Sequence, residues 1–322
     1  MRAIVVTAHG GPEKLSLEDW PLGEPGPGEL RIRQQAIGVN FVDVYQRTGL
    51  YPTKPPFVAG NEGAGEVVAV GPGVTEFKIG DRVAYQGPAG AYAEERLLPA
   101  DKAVKLPDGI SAETAAAVML KGLTAYYLLH RTFAVGQGTT LLWHAAAGGT
   151  GLIACQWAKA LGANVIGTAG SDEKIALARE NGCDHGINYA TENFAVRVRE
   201  LTGGRGVDVV YDGNGRSTFE ASLDCLRPLG MMVSFGNASG PVAIPDLGIL
   251  GRKGSLFVTR PTGAAYFSTR AELLEGAEAL FAALLAGVIK PRIGRRFALA
   301  DAAAAHRALE GRATTGSTLL IP

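Results

Sequence analysis

The sequence predicts an α/β protein: a doubly wound parallel sheet with helices on both faces, inserted into a mostly-β domain. Three observations predict it. Between residues 121 and 262, short apolar runs alternate with helical stretches, the pattern of βαβ units and a buried parallel sheet. Before residue 120, strand-like runs are punctuated by glycine and proline, as in an irregular β domain. After residue 263 the tail is too short to bury a core of its own, so it is expected to pack back onto the first domain and make that domain discontinuous. The expected domains are therefore 1–120 with 263–322, and 121–262, in keeping with about 150 residues per domain for a chain of 322.

Taken in order, strands are expected over 3–7, 30–38, 63–70 and 82–85, with the loop PLGEPGPGE at 21–29. A short helix is expected after Asn40, through Asp43 to Arg47. In the middle region TLLWHA (140–145) precedes the helix GLIACQWAKALG (151–162), NVIGTA (164–169) precedes DEKIALARENG (172–182), and VDVVYD (207–212) precedes STFEASLDCL (217–226). HGINY, MMVSFG (231–236) and SLFVTR (255–260) read as further strands. The tail reads as an Ala-rich helix over 270–287, a strand over 295–299, a helix over 301–310 and a last strand over 317–321.

Composition excludes several function classes. Lys and Arg together number 31, as do Asp and Glu, so no net charge draws the chain toward nucleic acid or an anionic membrane. MRAIVVTAHGG reads as a first strand rather than a signal peptide, and no apolar run reaches the ~18 residues of a membrane span. Cys155, Cys183 and Cys225 are an odd number at wide spacing, which argues against a disulfide framework and for a reducing, cytoplasmic setting.

The informative motif is AAGGTG at 146–151, between an expected strand and an expected helix. It matches G-x-G-x-x-G with Ala146 in the first place. Gly148 lets the backbone approach a pyrophosphate, and Gly151 lets the helix pack closely on the strand. The helix N-terminus then offers free N–H groups and a positive dipole end to the diphosphate. This is the dinucleotide-binding, or Rossmann, fingerprint. The end of the second strand selects the dinucleotide, because NAD(H) sites carry an acid there for the ribose hydroxyls. Here the chain reads Gly167-Thr168-Ala169-Gly170-Ser171, small and uncharged, with Lys174 one helical turn on and Tyr189 after the next strand. Asp172 is the counter-argument, but it reads as a helix-start residue. NADP(H) is therefore preferred.

Other chemistries are missing. The sequence has no GxSxG, no GK[ST], no HExxH and no CxxC, and no Tyr is followed four residues later by Lys. This removes the hydrolase elbow, the P-loop, the obvious zinc motifs and the short-chain reductase pair. His144, beside the fingerprint strand, reads as a satisfied core residue rather than a base.

The chain resembles the zinc-independent quinone oxidoreductases, including the ζ-crystallin type, of the medium-chain dehydrogenase/reductase superfamily. The blocks that carry the resemblance are HGGPEKL (9–15), AIGVNFVDVYQRTGLYP (36–52), GNEGAGEVVAVGPGV (60–74), GDRVAY (80–85), LKGLTAYYLL (120–129), HAAAGGTGLIACQWAKALGA (144–163), SFGNASG (234–240), LGILGRKGSLFVTRP (247–261) and RATTGSTLLIP (312–322). The resemblance implies a GroES-like catalytic domain, an inserted Rossmann domain and a homodimer. Zinc members of the superfamily use a Cys and a Gly-His-Glu block where this chain has Gly38-Val39-Asn40 and Gly60-Asn61-Glu62. Zinc catalysis needs about three protein ligands, and Glu62 alone cannot supply them. A metal-free enzyme favours acceptors that are already electrophilic, and quinones meet that description.

By resemblance Asn40, Tyr45 and Tyr51 line the acceptor pocket; all three can donate hydrogen bonds. The cofactor contacts implied are Lys121 and Thr124; Gly148, Gly149, Thr150 and Gly151 at the diphosphate; and Gly170, Ser171, Lys174 and Tyr189 around the 2′-phosphate. Asn214, Phe235, Gly236, Asn237, Val258, Arg260 and Arg312 complete the set. The chain departs from the family at Asp212-Gly213-Asn214-Gly215, usually Asp-Ser-Val-Gly, and at Thr150, often Val. Two other readings stand beside quinone reduction: a 2-alkenal or enoyl reductase of the same superfamily, and a non-catalytic nucleotide- or RNA-binding protein of crystallin type. The neutral charge and lack of a basic cluster weigh against RNA.

Overall fold

In the computed structural model, which describes residues 1–322, the chain opens with β1 (Arg2–Val6), β2 (Leu15–Asp19), β3 (Glu29–Val39), α1 (Phe41–Thr48), β4 (Phe57–Val58), β5 (Glu62–Val70), β6 (Arg82–Gln86), β7 (Glu95–Pro99), β8 (Ala103–Lys105) and α2 (Ala112–Tyr126). There follow β9 (Thr140–Trp143), α3 (Gly149–Ala160), β10 (Asn164–Ala169), α4 (Asp172–Glu180), β11 (His185–Asn188), α5 (Phe194–Leu201), β12 (Val207–Asp212), α6 (Phe219–Cys225), β13 (Leu226–Ser234), α7 (Gly248–Arg252), β14 (Phe257–Thr259) and α8 (Gly263–Tyr266). The chain closes with α9 (Arg270–Leu285), β15 (Ile293–Ala298), α10 (Ala302–Glu310) and β16 (Ser317–Ile321). Two units result: Met1–Leu123 with Thr269–Leu285 and Pro291–Pro322, and Thr124–Ser268 with Ala286–Lys290.

The first unit holds two sheets. One has three strands in the order β2-β1-β4, and the other runs β15-β16-β3-β5-β6-β8 with β7 also on β3. The eleven-residue β3 organises the larger sheet. It pairs with β7 along 29–33 and with β16 along 37–39, while β5 lies against most of its length. Leu30, Ile32 and Ala36 point inward along it, the period of two that makes one face apolar. Leu30 and Ile32 join Ile4, Val67, Val83, Leu98, Leu320 and others in one buried cluster.

The second unit is a six-stranded sheet in the order β11-β10-β9-β12-β13-β14, parallel at every pairing. Counted within the unit the order is 3-2-1-4-5-6, the doubly wound Rossmann arrangement, whose order reverses between β9 and β12. Every residue of β12 is buried, as expected of a strand covered on both faces.

Four helices escape the sequence reading: α2, α5 and the short α7 and α8. α2 is apolar on nearly all sides, so its period of 3.6 is hidden in an alanine-rich run, and it continues into a π-helical turn over Tyr127–Thr132. α5 is only eight residues long, too short for a clear period. The strand expected at 231–236 starts at Leu226 and ends at Ser234; Phe235, Gly236 and Asn237 lie just past its end.

Candidate functional site

The fingerprint forms the turn from β9 into α3. Gly148 is the N-cap in extended conformation, with no side chain capping the helix, which leaves the first-turn N–H groups of Gly149, Thr150 and Gly151 without intrahelical partners. Ala145, just upstream, holds a left-handed φ of 55°. A Cβ on Gly151 would lie 2.5 Å from the Ala145 carbonyl oxygen and 2.7 Å from that of Ala146. The absence of a side chain there is what lets α3 start against the strand. Free donors at a helix N-terminus with unobstructed backbone fit a dinucleotide diphosphate.

At the end of β10, Ser171 caps α4 by accepting from the Lys174 N–H at 3.4 Å. Gly170 is covered by the Tyr189 ring, whose hydroxyl would lie 2.7 Å from a Cβ there. Gly170, Ser171, Lys174 and Tyr189 are thus grouped at the carboxyl ends of β10 and β11. Across the switch point, the Asn214 N–H donates to Asp212 Oδ1 at 2.7 Å and its carbonyl accepts from Ser239 Oγ at 2.8 Å. The Phe235 ring packs on Trp143 with centroids 5.4 Å apart. Arg260 Nη1 donates to the carbonyls of Ser234 at 2.8 Å and Gly236 at 3.0 Å, and the Asn237 amide, turned to suit both neighbours, accepts from Arg260 Nη2 at 3.0 Å. Arg260 therefore ties the loop after β13 to the end of β14, on which Val258 sits half-buried at the sheet edge. His144 is a satisfied core residue: Thr168 Oγ1 and Ser222 Oγ each lie 2.9 Å from its ring nitrogens. Because Ser222 Oγ donates to the Thr218 carbonyl, it accepts from His144 Nε2–H, leaving Nδ1 as the acceptor.

In the first unit a second cluster forms around α1. Asn40 caps that helix, its N–H donating to Asp43 Oδ2 at 2.8 Å. Gly49, at φ 81°, ends it in the left-handed region. Tyr45 and Tyr51 face each other with ring centroids 5.1 Å apart. The Asn40 amide donates to Glu62 Oε2 at 2.8 Å, Lys121 Nζ donates to the same oxygen at 2.8 Å, and the Leu120 N–H donates to Oε1 at 2.6 Å. A side chain on Gly38 would collide with this carboxylate. Thr124 follows one helical turn after Lys121 on α2, in the other unit. Arg312 lies exposed after α10 with φ 55°.

Zinc does not fit here. At the two positions where zinc members carry ligands stand the amides Asn40 and Asn61, and the Glu62 carboxylate is filled by an ammonium and two N–H donors. No group of three His, Cys, Asp or Glu residues is placed to hold a metal ion.

Beneath α1 lies a buried chain that sequence reading missed. Arg47 Nη1 donates to His306 Nδ1 at 3.0 Å, so His306 Nε2 carries the proton toward Tyr92 Oη at 3.1 Å, and Tyr92 donates to Asp43 Oδ2 at 2.8 Å. Asn61 donates to Asp43 Oδ1 at 2.7 Å, and Glu310 takes both Arg47 Nη atoms at 2.8–2.9 Å. Its members are far apart in sequence, and only the buried polarity of α10 could have hinted at it.

The chain has a pH signature. Burial first, then the Arg47 charge, pushes His306 from 6.5 down to about 3. Its contribution to stability is full above pH 6.5 and is lost as pH falls toward 3, because the unfolded imidazole takes up a proton that the folded one refuses. Asp43 has the opposite sign: burial outweighs its hydrogen bonds and raises it from 3.8 to about 6. Its contribution is full below 3.8 and is lost as pH rises through 6. The two slopes oppose each other in the shared window. In His306→Gln only the Asp43 slope remains, so the wild type's advantage over this variant should grow by about 1 kcal/mol per pH unit from pH 4 to 6. Urea unfolding at pH 4, 5 and 6 measures it; a constant advantage would mean that His306 is charged in the folded protein.

Comparison with known proteins places the whole chain. Residues 26–108 match the model of the alcohol dehydrogenase GroES-like domain, and residues 149–275 that of the zinc-binding dehydrogenases. The chain is 56% identical over 323 aligned positions to a quinone oxidoreductase of Pseudomonas aeruginosa, covering 100% of this chain and 99% of that protein. It is 49% identical to a 2-haloacrylate reductase of a Burkholderia species, covering 99% and 98%. Its structure superposes on that of Escherichia coli quinone oxidoreductase complexed with NADPH with a TM-score of 0.97, at 50% identity and complete coverage of both chains. The first unit is therefore GroES-like, the second is the Rossmann domain, and the chain belongs to the zinc-independent quinone oxidoreductase family of the medium-chain dehydrogenase/reductase superfamily.

Proposed function

We propose that this protein reduces quinones with NADPH. The observation that carries the reading is the pairing of a bare-glycine dinucleotide turn with an acceptor-side cluster of hydrogen-bond donors that lacks zinc ligands, in a chain alike over its full length to quinone oxidoreductases. NADPH, when bound, supplies the hydride. The protein's own part is to hold the dinucleotide by the N–H groups at 149–151, to grip its 2′-phosphate among Gly170, Ser171, Lys174 and Tyr189, and to contact it through Lys121, Thr124, Asn214, Phe235–Asn237, Val258, Arg260 and Arg312. Asn40, Tyr45 and Tyr51 present donors to the acceptor oxygen as negative charge grows on it. Glu62 and Asp43 keep Asn40 in one orientation, so little reorganisation is needed during the reaction.

The 2-haloacrylate reductase relative favours a second reading, reduction of an electron-poor alkene, because acceptor choice in one fold rests on a few contacts. NADPH oxidation assayed with a 1,4-quinone and with an α,β-unsaturated carbonyl, each with and without a chelator, separates them. The expected result is faster quinone turnover, unaffected by the chelator; preference for the alkene, or inhibition that zinc reverses, overturns the reading.

The domains are proposed as 1–120 with 263–322, and 121–262. The protein is read as a homodimer joined along the free edge of β14, where Phe257 is 56% exposed. A cytoplasmic location accords with three unpaired, buried cysteines. No helix is long and apolar enough to cross a membrane.

A further inference from the structure

Two acids, Asp172 and Glu173, open the helix after the second strand of the dinucleotide sheet. A carboxylate in this region, about 20 residues beyond the fingerprint, is what binds the ribose hydroxyls of NAD(H), and its charge repels a 2′-phosphate. Glu173 is exposed and hydrogen-bonds Ser171 at the strand end itself. Asp172 is engaged elsewhere. Asp172 Oδ1 accepts from Asn188 Nδ2 at 2.8 Å.

Asn188 is a rigid anchor for that bond. It is 7% exposed and ends β11 in register with Ala169. Its N–H donates to Glu192 Oε1 at 3.2 Å, its Oδ1 accepts from the Ala190 N–H at 3.1 Å, and its carbonyl accepts from the Glu192 N–H at 2.9 Å. With the backbone and Oδ1 so held, the amide nitrogen has one direction to point, and Asp172 lies in it. We propose that Asn188 is a specificity-determining positioning residue, which favours NADPH over NADH by holding the Asp172 carboxylate out of the 2′-phosphate subsite. The proposal rests on the reading that this phosphate sits among Gly170, Ser171, Lys174 and Tyr189.

The test is a double-mutant cycle on the intact protein, read by calorimetric binding of adenosine 2′,5′-bisphosphate and adenosine 5′-monophosphate and by kcat/KM with NADPH and NADH. Asn188→Ala should weaken the bisphosphate and lower NADPH kcat/KM by roughly five- to tenfold, the effect of one partly screened charge. The monophosphate and NADH should change less than about twofold, since they carry no 2′-phosphate to be repelled. Asp172→Asn alone should change little, and Asn188→Ala with Asp172→Asn should regain the wild-type values. Should Asn188→Ala unfold, Asn188→Ser serves: its hydroxyl can accept from Ala190 but is too short to reach Asp172. Equal loss for both nucleotides, or no recovery in the double variant, overturns the proposal. Lys174→Ala separates the two layers. A selective bisphosphate loss there alongside a failed recovery sinks the Asn188 proposal alone, whereas full bisphosphate affinity in Lys174→Ala removes the subsite and the proposal with it.

Discussion

Lys121→Met should destabilise the protein by about 3–5 kcal/mol, the cost of stranding one member of a buried ion pair. Glu62 is fully buried and Lys121 is 5% exposed, with nitrogen and oxygen 2.8 Å apart. Removing the ammonium leaves a carboxylate with two N–H donors and no counter-charge in a site closed to water. Methionine fills much the same volume, so lost packing contributes little. The diagnostic comparison is Lys121→Met with Glu62→Gln, which removes both charges and should recover most of the loss, since neutralising a buried pair is far milder than breaking it. Urea unfolding of the wild type, the single and the double variant measures the difference. A single variant within 1 kcal/mol of the wild type would mean that water reaches Glu62. The refolded double variant also tests the proposed cofactor role of Lys121: NADPH affinity should stay low even though stability has returned.

Gly151→Val should lower NADPH affinity about 100-fold or more, close to 3 kcal/mol of binding free energy. A Cβ at 151 meets the carbonyl oxygens of Ala145 and Ala146 at 2.5 and 2.7 Å. Both are backbone atoms in the turn itself and cannot swing aside as a flexible side chain would. The turn and the start of α3 must move, and the N–H groups that face the diphosphate move with them. Gly148→Ala is the graded comparison, because its Cβ meets only the Ala145 oxygen, at 3.1 Å; it should fold as stably as the wild type. Fluorescence titration with NADPH and thermal unfolding on the same samples separate binding from folding. Unimpaired NADPH binding by Gly151→Val would show that the cofactor is held elsewhere.

The elements most legible in the sequence are those whose signal is local. The buried strands β9, β10 and β12 declare themselves as apolar runs, and the turn between β9 and α3 as a run of small residues. The tail was read nearly to the residue, because α9 and β16 are each bounded by clear breaks. α2 was not legible, because a helix buried on nearly all sides carries no amphipathic stripe. That omission hid the partner of Glu62, since Lys121 reaches it only from a helix.

The candidate site divides in the same way. The residues at 148–151 and 170–174 follow from spacing along βαβ units, where secondary structure alone fixes their relation. Asn40, Tyr45 and Tyr51 came from resemblance, with the structure adding what holds the first in place. By itself, then, the sequence determined the parallel sheet and the glycine turn, because each depends on residue type at short range. Only the tertiary structure decided that Asp43 receives Tyr92, that His306 is buried against Arg47, and that Asn188 restrains Asp172. Those pairings join residues 16 to 259 positions apart, and a side chain's partner at such range is set by how the elements pack, which no local pattern encodes.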